Sequence, residues 1–144
     1  MPKKSMRALA GLALTMTLIL TACSSGPPLP PAKSMTATEL RPEFAAAAKL
    51  IDQINKEAKA GDMKQASADF QEYQQHVNNL LPGIVAKDQK LAGKLNDATA
   101  ELGAEFKKAA PRKSEVDEEY GVIMPLLIKA AQETGVNLSA PTVG

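Results

Sequence analysis

One histidine and two nearby carboxylates have the residue types and spacing of a metal site. His76 follows Glu72 by four residues and Asp69 by seven, so on a helix the three side chains share one side. Imidazole and carboxylate groups are common ligands of transition metals. The alternative interpretation is a histidine at the edge of an apolar stripe, with Glu72 stabilising the helix one turn away. We expect this edge position for His76, in a bundle that acts by binding or scaffolding and carries no cofactor; a metal ion or haem held by His76 with Glu72 or Asp69 is the alternative function.

The residues that catalysis needs are scarce. The chain has a single His and a single Cys, and it contains no glycine-rich phosphate loop and no CxxC or HExxH pattern. Nothing around Ser67 or Ser114 resembles the sharp turn that presents a nucleophilic serine. The acidic run 115–119 falls in the first turns of a predicted helix, where negative charge complements the helix dipole. We therefore predict that the protein is not an enzyme.

The single cysteine, Cys23, ends an N-terminal stretch with the order of a secretory signal. Lys3, Lys4 and Arg7 supply positive charge, and residues 8–20 form an apolar run of 13 residues. A membrane-spanning helix needs roughly 20 such residues, so this run is too short to span. The pattern indicates a signal peptide over residues 1–22.

The residues Leu20, Thr21, Ala22 and Cys23 resemble the lipobox of bacterial lipoprotein precursors. That resemblance implies cleavage before Cys23, lipidation of its thiol, and acylation of the new amino terminus with a fatty acid such as palmitate. The alternative is an unmodified thiol beside a signal peptidase site. Ser24 resembles the class sorted to the outer membrane, so we expect a lipoprotein of the bacterial cell envelope, anchored in the outer membrane and facing the periplasm.

Charge and composition bound the rest of the chain. Removing residues 1–22 takes the formal net charge from +1 to −2, which is not the basic balance that nucleic-acid binding requires.

We divide the chain into a signal peptide (1–22), a lipidated cysteine with a Pro-rich tether (23–37), a helical bundle (38–136) and a C-terminal tail (137–144). The tether predicts an extended spacer of up to ~40 Å at about 3.1 Å per residue, and a PxxP ligand is the alternative. The expected partners are the membrane, through Cys23, and an unknown envelope protein.

Four stripes of apolar residues at spacings of three and four indicate four helices. The stripes comprise Phe44, Ala47, Ile51, Ile54 and Ala58; then Met63, Ala66, Phe70, Tyr73, Val77 and Leu80; then Leu91, Leu95, Ala98, Leu102 and Phe106; and finally Val116, Tyr120, Ile123, Leu127 and Ala130. Short loops make sequential helices antiparallel, so the sequence predicts an all-α up-down-up-down four-helix bundle.

Local signals set the expected helix ends. Gly61 suits a left-handed C-terminal residue, and Asp62 with Gln65 suits the next N-terminus. Pro42 is expected in the first turn of the first helix, Pro82-Gly83 is expected to end the second, and the third is expected over 88–109. Ser114 with Asp117 has the spacing of a cap for the fourth.

Pro125 falls inside the fourth predicted helix, four residues after Gly121. Its ring clashes with the carbonyl group of Gly121 in a straight helix, so a bend near Gly121 is expected. One interpretation is a helix that curves around its neighbours. The other is a bend that opens a pocket or a groove for a partner.

The hairpin around Gly61-Asp62, with Ala86-Lys87-Asp88 after the second helix, resembles hairpins in the extracytoplasmic helical domains of bacterial iron permeases. It is also similar to a hairpin in periplasmic haem-binding four-helix cytochromes. These resemblances cover residues 42–134 and imply a helical bundle that binds metal or haem. The cytochromes place their histidine ligand in the last helix and a methionine near the start of the first; here the fourth helix has no histidine, and Met35 precedes the first. No ligand residue is therefore carried over.

Overall fold

The computed structural model describes residues 26–138, which form four α-helices and no strand. The helices are α1 (Ala37–Ala60), α2 (Met63–Val85), α3 (Gln89–Phe106) and α4 (Lys113–Glu133). Each packs against the next in chain order, and α4 closes the bundle against α1. The loops between them are short, so neighbours run antiparallel. The predicted all-α four-helix bundle is confirmed.

The four predicted stripes form the core of the bundle. Most of their members are fully or nearly fully buried, and the largest side chains without solvent contact include Tyr73, Phe44, Ile51, Ile54, Leu80, Leu95, Leu102, Ile123 and Leu127. Met63, Phe106 and Tyr120 lie at the edge of this core and are partly buried. Phe70 packs between two other rings, with centroids 6.0 Å from Tyr73 and 5.5 Å from Phe106. Helical spacing alone therefore identified the buried faces.

The turn between α1 and α2 has the predicted form. Gly61 has φ 90°, a left-handed conformation, and its N–H donates to the carbonyl oxygen of Ala58 at 3.0 Å. Asp62 then caps α2, since its side chain accepts from the N–H of Gln65 at 3.1 Å. The Gln65 side chain does not complete a capping box but donates to Asp69 at 2.7 Å.

The start of α1 was predicted too late in the chain. Thr36 is the N-cap, and it forms a capping box in which its hydroxyl accepts from the Glu39 N–H while the Glu39 carboxylate accepts from the Thr36 N–H. Pro42 is consequently inside the helix, past the first turn. The capping box gives hydrogen-bond acceptors to the backbone N–H groups of Thr36 and Glu39, so the helix begins before the proline rather than at it.

The prediction that Pro82-Gly83 ends α2 was wrong, because α2 continues to Val85. Its last turns carry Leu81 and Ile84 into the core. Gly83 allows this approach, since a Cβ there would lie 3.0 Å from a methyl carbon of Leu40. Burial of this turn against α1 outweighs the helix-breaking tendency of the pair.

The connection between α3 and α4 also differs from the prediction. The helix α3 ends at Phe106 rather than at residue 109, and Arg112, not Ser114, is the N-cap residue of α4. Arg112 makes no side-chain cap; its N–H donates to Glu105 at 2.7 Å, and its guanidinium pairs with Glu115 at 2.7 Å. The Lys108 ammonium and the Arg112 N–H hold the pKa of the buried Glu105 carboxyl below its ordinary value.

The described part of the Pro-rich tether lies on the bundle, and we call residues 26–35 the strap. The Lys33 N–H donates to the carbonyl oxygen of Pro82 at 3.0 Å, and the Asn96 amide donates to the carbonyl oxygen of Pro27 at 2.6 Å. Leu29 and Met35 pack against the core. The prediction of a free spacer is therefore wrong for these residues, because both backbone and side-chain contacts hold them to α2 and α3.

Candidate binding groove

Two of the three predicted metal-site residues, His76 and Asp69, are hydrogen-bonded to other side chains. The Nδ1 atom of His76 lies 2.6 Å from a carboxylate oxygen of Glu43 on α1, and both side chains are 26% exposed. The Asn79 amide donates to the same Glu43 oxygen at 3.3 Å. His76 therefore joins α2 to α1 through Glu43.

Asp69 and Glu72 differ from each other in burial and in partners. The Asp69 carboxylate is almost buried and accepts from the Gln53 amide at 2.6 Å and from the Gln65 amide at 2.7 Å. Glu72 is exposed. Within residues 26–138, no three His, Cys, Asp or Glu side chains are placed to hold a metal ion. The three residues lie on one side of α2, as predicted. Glutamine amides hydrogen-bond Asp69, however, and the Glu43 carboxylate of α1 hydrogen-bonds His76.

Glu43 is the partner that the sequence did not reveal. It lies between Pro42 and the buried Phe44, and no spacing within α1 connects it to a histidine 33 residues later. Only the pairing of α1 with α2 brings the two together. The pKa of Glu43 lies below its ordinary value, chiefly because His76 hydrogen-bonds the carboxylate and Asn79 adds a second donor.

The predicted lipidation residue, Cys23, and the predicted signal peptide lie outside the described residues. The described chain begins at Gly26, whose N–H donates to the carboxylate of Asp97 at 3.1 Å. Gly26, the first described residue, is thus held against the middle of α3. In the part of the chain from 26 to 138, no helix is both long and apolar enough to cross a membrane.

A groove of about 500 Å³ lies between α3 and α4. Ala98 from α3 and Val122, Pro125 and Leu126 from α4 give it an apolar lining. Val122 is 46% exposed, and it is the one large hydrophobic side chain among the described residues that is exposed to this degree. Lys94, Asp97 and Glu101 line the same groove from α3. Its volume falls in the range of small-molecule sites, roughly 300–1,000 Å³.

The groove coincides with the Pro125 and Gly121 pair that the sequence singled out. Pro125 has no N–H, so the carbonyl group of Gly121 receives no hydrogen bond from it across the helical turn. Gly121 adds no side chain, and nothing lies within 4 Å of the position that its Cβ would take. Both residues line the groove, and Gly121 is exposed there. The bend expected near Gly121 stays a prediction.

An unusual carboxyl group lies beside Glu101, a residue of the groove lining. The pKa of Glu119 is raised to about 7, first by burial and then by the negative charge of Glu101 and a hydrogen bond with it. One carboxyl oxygen of Glu119 is buried without a hydrogen-bond partner. The carboxyl group is thus partly uncharged at neutral pH, which reduces the repulsion between the two glutamates.

The rest of the acidic run on α4 stabilises the fold. Glu115 pairs with Arg112, and Asp117 pairs with Lys59 on α1 at 2.7 Å. The Lys59 ammonium, together with a hydrogen bond from Asn55, keeps the pKa of Asp117 below its ordinary value. These contacts agree with the interpretation of the run as a helix start rather than a cation site.

Comparison with protein-family models, with curated proteins and with solved structures found no match to this chain.

Proposed function

We propose that the protein is a lipoprotein of the bacterial cell envelope, anchored through Cys23, whose helical bundle binds a partner through the groove between α3 and α4. The anchor rests on the order of charge, apolar run and lipobox in residues 1–23. Sorting to the outer membrane, on the periplasmic side, rests on Ser24. The bundle itself supplies the binding surface.

Binding is favoured over catalysis by what the chemically versatile side chains contact. His76 is engaged by Glu43, and Asp69 by two glutamine amides. The buried Tyr73 hydroxyl lies 3.2 Å from the hydroxyl of Thr99, and burial raises its pKa above the ordinary value. Each of these three groups has a side-chain hydrogen-bond partner on a neighbouring helix.

The observation that carries the proposal is the position of Val122. Val122 is 46% exposed and lies beside Ala98, Pro125 and Leu126, so its exposed surface belongs to one continuous apolar lining. Pro125 and Gly121, two residues of low helix propensity, line the same groove. A surface of this kind suits an apolar or amphipathic ligand.

The anchor is tested by feeding cells a labelled fatty acid and isolating the full chain. We expect label on the N-terminal peptide that begins at Cys23, and none on the Cys23→Ser variant. A Cys23→Ser variant that is labelled as strongly as the unaltered protein would overturn the anchor.

The binding surface is tested with a photoreactive amino acid placed at residue 122 in living cells. The matched control carries the same group at residue 68, an exposed alanine on α2. We expect discrete adducts from position 122 that are missing from position 68. The same adducts from both positions would show that the groove has no partner of its own.

A further inference from the structure

The strap leads from the end of α2 to the middle of α3 when the chain is followed toward its N-terminus. Lys33 contacts Pro82 at the end of α2, Leu29 lies against Gly93, and Pro27 contacts Asn96. Gly26 comes last, at Asp97. The strap therefore ends, toward the N-terminus, at Asp97, a residue of the groove lining.

Gly26 fits this position because it has no side chain. A Cβ there would lie 2.7 Å from the Asp97 carboxylate and 2.8 Å from the Asn96 amide nitrogen. The backbone consequently comes close enough for its N–H to donate to Asp97 at 3.1 Å. The same Asp97 lines the groove between α3 and α4. The described chain thus begins at the edge of the groove.

Cys23 is three residues before Gly26. An extended chain covers at most 3.3–3.6 Å per residue, so the Cys23 backbone lies within about 11 Å of Gly26 whatever path it takes. That distance is short enough for a lipid attached to the Cys23 sulfur to reach the lining of the groove. In a free tether, Gly26 itself would have no fixed distance from the groove.

We propose that the groove between α3 and α4 binds the acyl chain that Cys23 carries, whenever that chain is outside a bilayer. The inference rests on the proposed lipidation of Cys23. Ala98, Val122 and Leu126 offer the hydrocarbon an apolar floor, and Pro125 adds a ring that donates no hydrogen bond. The acyl chain covers the exposed Val122, and the bundle in turn shields part of the hydrocarbon from water.

The chain's own lipid is favoured over a free fatty acid by its attachment. A ligand tethered a few residues from its site has an effective concentration in the millimolar range, which a free lipid in the periplasm does not reach. Three charged side chains of α3 also line the groove, namely Lys94, Glu101 and Asp97, which accepts from Gly26, so the hydrocarbon is placed against Val122 and Leu126 of α4.

The test uses the full chain, processed and lipidated in cells that have been fed a palmitate with a photoreactive diazirine. The purified protein is diluted out of detergent and irradiated, and adducts are located by peptide mass spectrometry. A second sample is first inserted into vesicles of phosphatidylethanolamine and phosphatidylglycerol. We expect adducts within 94–101 and 121–126 of the same molecule without vesicles, and adducts to phospholipid with them.

Two variants make the result specific. Val122→Glu places a charge in the groove and is expected to reduce these internal adducts about tenfold, the equivalent of losing the burial of one aliphatic side chain. Ala68→Glu adds the same charge at an exposed position of α2 and is expected to leave them unchanged. Equal adducts in the two variants would overturn the assignment of the groove, as would adducts that join two copies of the chain.

The remaining outcomes separate this inference from the proposed function. An N-terminal peptide without any lipid would contradict the anchor itself. A lipidated peptide whose label never reaches α3 or α4 would contradict only the groove assignment. The Cys23→Ser variant mixed with the same concentration of free photoreactive palmitate should show at least tenfold fewer groove adducts. Equal labelling would instead assign the groove to free fatty acids.

Discussion

At the scale of single residues, the contact between Glu43 and His76 links α1 to α2 near the surface. Hydrogen bonding from His76, then from Asn79, keeps the pKa of Glu43 below its ordinary value of 4.5. A carboxyl group with a lowered pKa stabilises the fold above its unfolded pKa, and that stabilisation is lost as the pH falls through its folded value. The contribution of this pair to stability therefore belongs to pH values above 4.5.

The substitution Glu43→Gln removes the charge and keeps the shape. We expect it to lower the free energy of unfolding by about 1 kcal/mol near pH ~6, as the loss of a charged hydrogen bond at a partly exposed site. The difference should shrink below about pH 4, where the native carboxyl group is itself protonated. Urea titrations across this range measure it, and Glu72→Gln, an exposed change one turn from His76, is the control. A deficit that does not depend on pH would contradict the charged pair.

Glu119 has the opposite pH dependence. Its pKa is raised to about 7, so ionisation in the folded state becomes unfavourable as the pH rises from 4.5 through 7. We expect Glu119→Gln to raise Tm by a few degrees at about pH 8, equivalent to roughly 1 kcal/mol after allowance for solvent, and to leave Tm unchanged at about pH 4. Thermal unfolding followed by circular dichroism measures this.

The control for Glu119 is Glu133→Gln, an exposed change in the last turn of the same helix. A gain in Tm from Glu119→Gln that is equally large at acid pH would point to a packing effect rather than to a buried charge. The same pattern from Glu133→Gln would point to net charge alone.

At the scale of helices and segments, the bundle was predictable where burial is periodic. The stripe from Phe44 to Ala58 repeats a spacing that only one face of a helix produces, and all of it is buried. The end of α2 was not predictable, because Pro82 and Gly83 carry a strong local signal that the packing of Leu40 against Gly83 overrides. The strap was not predictable either, since its contacts join residues about 70 positions apart.

Asn96 is the side chain that holds the strap at Pro27. We expect Asn96→Ala to lower the free energy of unfolding by about 1 kcal/mol, because the Pro27 carbonyl group loses its donor. The amide of Lys33, which is bonded to Pro82, should then exchange its hydrogen several-fold faster. Hydrogen exchange measured by NMR follows this amide, and Asn78→Ala on the exposed side of α2 is the control. Unchanged exchange at Lys33 would show that the strap is held without Asn96.

No neighbouring atom within the fold requires a glycine at position 121 of α4. Because open space surrounds the position of its Cβ, we expect Gly121→Ala to stabilise the protein by about 0.5–1 kcal/mol, the usual gain from replacing glycine inside a helix. The comparison is Gly103→Ala, where a Cβ would lie 3.1 Å from the Phe70 ring and offset the same gain. Urea denaturation compares the two, and a Gly121→Ala protein no more stable than Gly103→Ala would contradict the open groove.

At the scale of the whole molecule, the docked strap sets how far the bundle stands from a lipid anchor. A free tether predicts a spacing of up to ~40 Å, whereas the three residue steps from Cys23 to Gly26 span at most about 11 Å. The lipid anchor stays a prediction, made from a contiguous signal in residues 1–23. The short spacing could not be predicted from sequence, since it depends on Asp97 and Asn96 meeting the strap in the fold.

A distance measurement on vesicles tests this spacing. With the lipidated full chain, we expect a fluorophore attached at residue 94 to be quenched strongly by lipids that carry a quencher in their headgroups. The double variant Asn96→Ala and Asp97→Ala removes the side-chain hydrogen bonds to Pro27 and Gly26, at the N-terminal end of the strap, and should weaken that quenching several-fold. A fluorophore at residue 68 reports the far side of the bundle as a reference. Identical quenching in the released and the unaltered protein would contradict a docked strap on the membrane.

The contact between Gly26 and Asp97 also fixes an order of events in biosynthesis. The two residues are 71 positions apart, so a chain made from its N-terminus has no partner for Gly26 until α3 has been synthesised. The strap is therefore among the last parts of the protein to dock, although it is among the first to be made. Under the proposed lipidation of Cys23, the modifying enzymes would therefore meet a strap that has not yet docked, and their access would need no separate opening step.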